Sequence, residues 1–183
     1  MRIVAIGDSI TKGFPYTSQE SWVKYVAQEL NIQILNKGVC GDLTRDMVER
    51  FHRDVLAYNP TYVTILGGTN DAFVGFPVSK VSKNFIDMVE RSREQGIIPI
   101  ICLPIPSLIP LEESLLADYR DWLKEYAEQE QMAVIDFFTP IQLALEKGHT
   151  RTLFDDECHP SIEGYKLMGE IAIEAFSIFG ISG

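Results

Sequence analysis

Short, almost uninterrupted apolar runs alternate along this chain with longer segments whose apolar residues recur every three or four positions. Runs of the first kind predict strands covered on both faces, and segments of the second kind predict helices with one buried stripe. Residues 2–7 read as the first strand. Thr17-x-x-Glu20 is a capping-box pattern that opens a helix over 17–30, with Trp22, Val23, Val26 and Leu30 inward. A second strand at 32–35 precedes a helix over about 43–58, and 61–66, rich in β-branched residues, is the third strand. Residues 79–95 place Val81, Phe85, Met88 and Val89 on one helical face, with Gly96 at the C′ position. Strands at 97–103 and 132–137 flank a helix over about 112–131. The last helix begins near Pro160 and carries Ile162, Tyr165, Met168, Ala172, Ala175 and Phe179 at spacings of three and four.

Five apolar strands separated by crossover helices predict an α/β fold: a five-stranded parallel sheet in a three-layer α/β/α sandwich. A chain of this size favours the flavodoxin-like strand order, in which ligands sit beyond the carboxyl ends of the strands. The alternation is unbroken by repeats, low-complexity tracts or linkers, so residues 1–183 are expected to form a single domain.

Composition narrows the classes of function. Apolar residues make up 46% of the 183 and charged residues 23%, a globular balance rather than a disordered or fibrous one. Sixteen Lys and Arg against 26 Asp and Glu leave a net charge of −10, which disfavours nucleic acid and anionic lipid as partners. The longest uncharged stretch, 96–111, is interrupted by Pro99, Pro104, Pro106 and Pro110, so no stable membrane insertion is expected. The apolar run at the start is too short for a secretory signal. Cys40, Cys102 and Cys158 show no CxxC spacing, which suggests neither a disulfide framework nor a zinc site and fits a reducing cytoplasm. Oligomeric state is not legible.

Four segments follow predicted strands, on the rim where chemistry is expected. Gly7-Asp8-Ser9 could project a hydroxyl, and Gly41, ahead of a helix that Asp42 is placed to cap, could offer a backbone N–H to an anion. Gly67-Gly68-Thr69-Asn70-Asp71 adds a side-chain donor at Asn70. Asp156 and His159, three residues apart, can share one turn with the carboxylate accepting from the imidazole. Taken alone, the Gly7-Asp8-Ser9 and Gly67–Asp71 segments read better as ordinary turn chemistry, and the Gly41 segment reads equally well that way. Neither the phosphate-binding GxxxxGK[ST] pattern nor the G-x-S-x-G nucleophile elbow is present.

Taken in order, GDSIT, the NxGxxGxxT stretch, GGTND and DxxHP resemble the four blocks of the SGNH (GDSL-type) hydrolase family. The resemblance implies a flavodoxin-like sandwich and a serine esterase needing no metal or cofactor, acting on a small-molecule ester of lipid, thioester, carbohydrate or aryl type, with lysophospholipase, thioesterase and carbohydrate deacetylase all open. Within it Ser9 would be the nucleophile, His159 the general base and Asp156 the group that orients it. The Ser9 and Gly41 N–H groups and the Asn70 side chain would form the oxyanion hole. Cys40 and Cys158 adjoin the proposed residues, but their placement reads as small buried filler. Asp8, Asp42, Asp71, Asp155 and Asp156 raise the alternative of a divalent cation, which the family pattern does not need. Phe73, Val74, Phe76 and Leu108 are candidates for an apolar acyl slot, suited to short-to-medium chains. The competing reading from another class is a noncatalytic binder that keeps the fold.

Overall fold

The computed structural model describes residues 1–182. Its strands are β1 (Arg2–Gly7), β2 (Gln33–Gly38), β3 (Tyr62–Leu66), β4 (Ile98–Leu103) and β5 (Ala133–Asp136). All neighbours are parallel, in the order β2-β1-β3-β4-β5. This is the flavodoxin-like arrangement, with the reversal of winding beside β1. Helices α1 (Ser9–Lys12), α2 (Trp22–Glu29), α3 (Thr44–Asp54), α4 (Thr69–Val74) and α5 (Val78–Glu94) belong to the first half of the chain. The second half carries α6 (Pro110–Gln129), α7 (Phe138–Glu146), α8 (Thr150–Leu153) and α9 (Ile162–Ile178).

Side chains alternate across β1 and so divide the core in two. Ile3 and Ala5 face Trp22 and Val26 of α2 and Tyr165, Met168 and Phe176 of α9. Val4 and Ile6 face Met47 and Phe51 of α3, Phe85 and Met88 of α5 and Leu123 of α6. Each such fully buried large side chain contributes roughly 1.5–3 kcal/mol relative to exposure. These two layers fix the sheet whose carboxyl ends carry the site.

Several local boundaries differ from the pattern. Thr17 and Glu20 do meet, with the Glu20 carboxylate accepting from the Thr17 N–H at 3.0 Å and its hydroxyl at 2.6 Å. The helix nevertheless starts at Trp22, because the Ser21 hydroxyl accepts from the Lys24 N–H at 3.2 Å and is the cap. Strand β2 continues through Asn36 and Lys37 to Gly38 because its backbone pairs with β1 along its full length, up to Gly7↔Gly38. Asp42 does not cap α3: the N-cap is Leu43, whose N–H is taken by Asp46 at 2.9 Å. Ser161, accepting from the Gly164 N–H at 3.1 Å, caps α9, so Pro160 lies ahead of the helix rather than in its first turn. Ile162 is 51% exposed and off the buried stripe. Four of the helices, α1, α4, α7 and α8, fall in segments where no helix is predicted.

Candidate active site

The chain leaves β1 at Gly7, and a Cβ there would lie 2.1 Å from the Thr11 hydroxyl oxygen and 2.6 Å from the Leu66 carbonyl oxygen. Only glycine allows α1 to fold back this tightly onto the sheet. Asp8 caps α1, accepting from the Ile10 N–H at 2.9 Å, and places Ser9 at the first helical position. Ser9 Oγ then lies 3.0 Å from His159 Nε2, across 150 residues of sequence.

His159 is held from behind. Its Nδ1 lies 2.7 Å from Asp156 Oδ2, which fixes the Nδ1–H tautomer and leaves Nε2 free to accept from the serine hydroxyl. The other oxygen of Asp156 accepts from the backbone N–H groups of Cys158, at 2.8 Å, and of His159, at 2.7 Å. Burial works against the Asp156 charge, but these N–H groups and the ring together hold its carboxyl below its ordinary value. Phe14 meets the imidazole edge-on with ring centroids 4.7 Å apart.

Besides the Ser9 N–H after β1, the donors expected for an oxyanion come from the ends of β2 and β3. Gly41 is in the left-handed region at φ +82°. Asn70, in the first turn of α4, donates one amide hydrogen to the Asp42 carbonyl at 2.9 Å, tying the Gly41 loop to α4 and leaving its second hydrogen over. Asp71 anchors the same junction, accepting from the Thr44 N–H at 2.9 Å and the Thr44 hydroxyl at 2.8 Å. A residue invisible in the sequence pattern completes it. Arg50, buried on α3, donates to the carbonyls of Gly7 and Lys37, both at 2.9 Å, and to Asp42 at 2.6 Å. It thereby gathers the carboxyl ends of β1 and β2 and the Gly41 loop around one guanidinium. Asp42 precedes α3, so its separation of eight residues from Arg50 gives the sequence no periodic signal.

A cleft of about 300 Å³ opens over these groups, lined among others by Ser9, Thr69, Asn70, Phe73, Ile109 and His159. Gly41 is outside its lining. So are Val74, Phe76 and Leu108, whereas Phe73 stands at the mouth. The reason is α4: a segment read as loop is helical, so Val74 ends it facing solvent. After Gly75 the chain turns, and Phe76 packs on the core under Lys80. Leu108 is spent on a backbone bond to Glu157 at 2.7 Å, its side chain outward, and Ile109 takes the place in the wall. A cavity of equal volume at the amino ends of β4 and β5 contains Arg93 but none of this chemistry.

The cysteines differ from one another. Cys102 is buried, but Cys40 is exposed rather than filling a gap. Cys158 is half-buried, and burial with the nearby Asp156 and Glu112 charges pushes its thiol up to about 12, so it is protonated at neutral pH. The five loop aspartates do not converge: Asp42 pairs with Arg50, Asp71 with Thr44, Asp155 with Tyr16 and Asp156 with His159. Among the described residues, ligand atoms close enough to share a cation belong to Asp156, Cys158 and His159, within 4.8 Å of one another. The first two already contact the His159 ring.

Asp8 is fully buried, and its Oδ2 has no partner. Burial pushes its carboxyl up to about 7, against the Ile10 N–H. The native state therefore keeps a proton that the unfolded chain loses near pH 4, so stability falls as pH rises from about 4 to about 7 and then levels off. Asp8→Asn, which keeps the cap, is expected to remove this slope, worth roughly 4 kcal/mol at most. Urea unfolding of both proteins at pH 4, 5.5, 7 and 8 checks it; parallel profiles would refute the assignment.

Comparison with known proteins agrees with this geometry. Residues 5–167 match the GDSL-like lipase/acylhydrolase family. A solved structure of a protein assigned to the lipolytic G-D-S-L family, from Desulfitobacterium hafniense, is 34% identical, with a TM-score of 0.88 over 95% of this chain and 98% of that one. An acetylxylan esterase of Geobacillus stearothermophilus is 26% identical over 91% of this chain and 90% of its own length. An uncharacterized lipoprotein of Bacillus subtilis, YqeF, is 41% identical over 118 residues, which span 56% of this chain and 49% of the lipoprotein. With its fold, its motif order and a family match that spans residues 5–167, the chain belongs to the GDSL-like lipase/acylhydrolase family.

Proposed function

We propose that residues 1–183 act as one catalytic domain that hydrolyses carboxylic esters of short-to-medium acyl chains through an acyl-enzyme on Ser9. The observation that carries this reading is the hydrogen-bonded series from Ser9 through His159 to Asp156. As Ser9 Oγ attacks the ester carbonyl, His159 Nε2 takes its proton, and the imidazolium is stabilised by Asp156. Negative charge gathers on the carbonyl oxygen, where the Ser9 and Gly41 N–H groups and the second Asn70 amide hydrogen would receive it. His159 returns the proton to the departing alcohol oxygen, the C–O bond breaks, and water repeats the sequence on the acyl-enzyme. Every proton is moved by the chain's own residues.

Asn70→Ala is expected to lower turnover of p-nitrophenyl acetate by about 10²–10³, the usual effect of losing one oxyanion donor. Unchanged turnover would remove Asn70 from that role. A serine-directed phosphonate is expected to add one equivalent to the wild type and none to Ser9→Ala, read by intact mass. An unlabelled wild type would instead favour a noncatalytic binder. The limited cleft and the single aromatic at its mouth support short-to-medium acyl groups, and the acetylxylan esterase relative supports acetyl esters. A strong preference for palmitoyl over butyryl esters would contradict this. Three free cysteines support a cytoplasmic setting, and no helix among the described residues is long and apolar enough to cross a membrane.

A further inference from the structure

Two adjacent glutamates open α6, and their environments differ. Glu113 has a cation, the buried guanidinium of Arg120. Glu112 is itself only 6% exposed, yet it takes part in none of the ion pairs among the described residues. A carboxylate withdrawn from water without a counter-charge is costly, and the α6 N-terminus offsets only part of that. What the fold provides instead is orientation. The Ser107 hydroxyl donates to Glu112 Oε2 at 2.9 Å, while Ser107 is itself pinned by the Ile109 N–H at 3.1 Å and by its own N–H to Glu113 at 2.9 Å. Glu112 Oε1 has no hydrogen-bond partner among the described residues and is not one of the sealed polar atoms, and Glu112 lines the cleft.

Its position says which half of an ester it would meet. The Glu112 charge acts on Cys158, next to the imidazole that hands its proton to the departing oxygen. Phe73 lies three residues beyond Asn70 on α4, the neighbouring position on a helix, beside the proposed carbonyl donors. Both side chains line the one cleft, with the acyl group assigned to Phe73 and the alcohol to Glu112. We infer that Glu112 is a specificity-determining residue that accepts a hydrogen bond from a hydroxyl on the alcohol portion of the substrate, so that esters of polyhydroxy alcohols are the preferred class. A hydroxyl suits the site better than an ammonium group. A fixed cation there would oppose the imidazolium formed at His159, and the cleft offers one aromatic ring, not a cage.

This inference rests on the ester-hydrolase reading, and a matched pair of substrates separates the two. Glycerol monobutyrate and n-propyl butyrate share the acyl group and a three-carbon alcohol and differ in hydroxyls. Wild-type kcat/KM is expected to favour the glycerol ester by on the order of 10- to 100-fold, as for a hydrogen bond to a charged group. Glu112→Ala should bring the ratio close to one, and Glu112→Gln, which keeps an acceptor without the charge, should lower it less. Ser107→Ala, which frees the carboxylate to turn, should lower it also, and it serves if a Glu112 variant does not fold. Any general loss common to both esters cancels in the ratio. Equal kcat/KM for the two esters in the wild type, a ratio unchanged in the variants, or a preference for choline butyrate over glycerol monobutyrate would overturn the inference alone. Turnover of neither ester, with no phosphonate label, would overturn the ester-hydrolase reading and this inference with it.

Discussion

Replacing Ser9 with alanine is expected to lower kcat on p-nitrophenyl acetate by on the order of 10⁶, the loss seen when the nucleophile of a well-studied serine protease is removed. The fold should hardly notice. The Ser9 hydroxyl has one hydrogen-bond partner, the His159 ring, and alanine is at least as good as serine at a helical position. Stability should change by no more than about 1 kcal/mol. Initial rates measured beside urea unfolding make the comparison. Substantial residual activity in a folded variant would place the nucleophile elsewhere, and Cys158 is poorly suited to replace it because its thiol stays protonated.

Asp156→Asn is expected to cost about 10⁴ in turnover, the figure known for the corresponding change in a well-studied serine protease. Here the prediction has a specific structural form. The side-chain oxygen of the introduced amide can still accept from the N–H groups of Cys158 and His159, so the loop keeps its shape. The amide nitrogen then faces His159 Nδ1, which must accept, and the ring proton moves to Nε2, where it confronts the Ser9 hydroxyl. The geometry survives with the wrong tautomer. Stability carries an independent signature. A carboxyl whose folded value lies below its unfolded one contributes stability that is present above about pH 4 and is lost as pH falls through the folded value. The asparagine variant should therefore lose part of the wild type's acid sensitivity below pH 4. Steady-state kinetics at pH 7 and unfolding curves at pH 2.5–5 test the two parts. Full activity in the variant would remove Asp156 from the relay.

The strands buried on both faces are the most legible part of the chain. Residues 2–7 and 97–103 read as strands from continuous apolar runs, and β1 and β4 occupy nearly those residues. β2 reads short because Asn36 and Lys37 break the apolar pattern, while its backbone pairing to β1 does not depend on those side chains. The short helices escape notice because four to nine residues give too few turns to establish a period. Ser9, Asn70, Asp156 and His159 can be singled out from their motifs, yet the contact between residues 9 and 159 exists only after five strands have assembled. Arg50 and Glu112 are illegible for the same reason. The importance of Arg50 lies in which carbonyls the sheet brings to it, and that of Glu112 in a cation present beside one glutamate and missing beside its neighbour.

The order β2-β1-β3-β4-β5 sets Gly41, Ser9 and Asn70 at the ends of three adjoining strands, while Asp156 and His159 return from beyond the far edge of the sheet. In the proposed mechanism, carbonyl polarisation and proton transfer would thus rest on different parts of the chain, which meet at Ser9. Substitutions around the Asp156–His159 turn that keep those two residues would retune the pH response while leaving Gly41 and Asn70 untouched. Substitutions confined to the turns after β2 and β3 would do the reverse, making the two traits selectable in independent rounds of laboratory evolution.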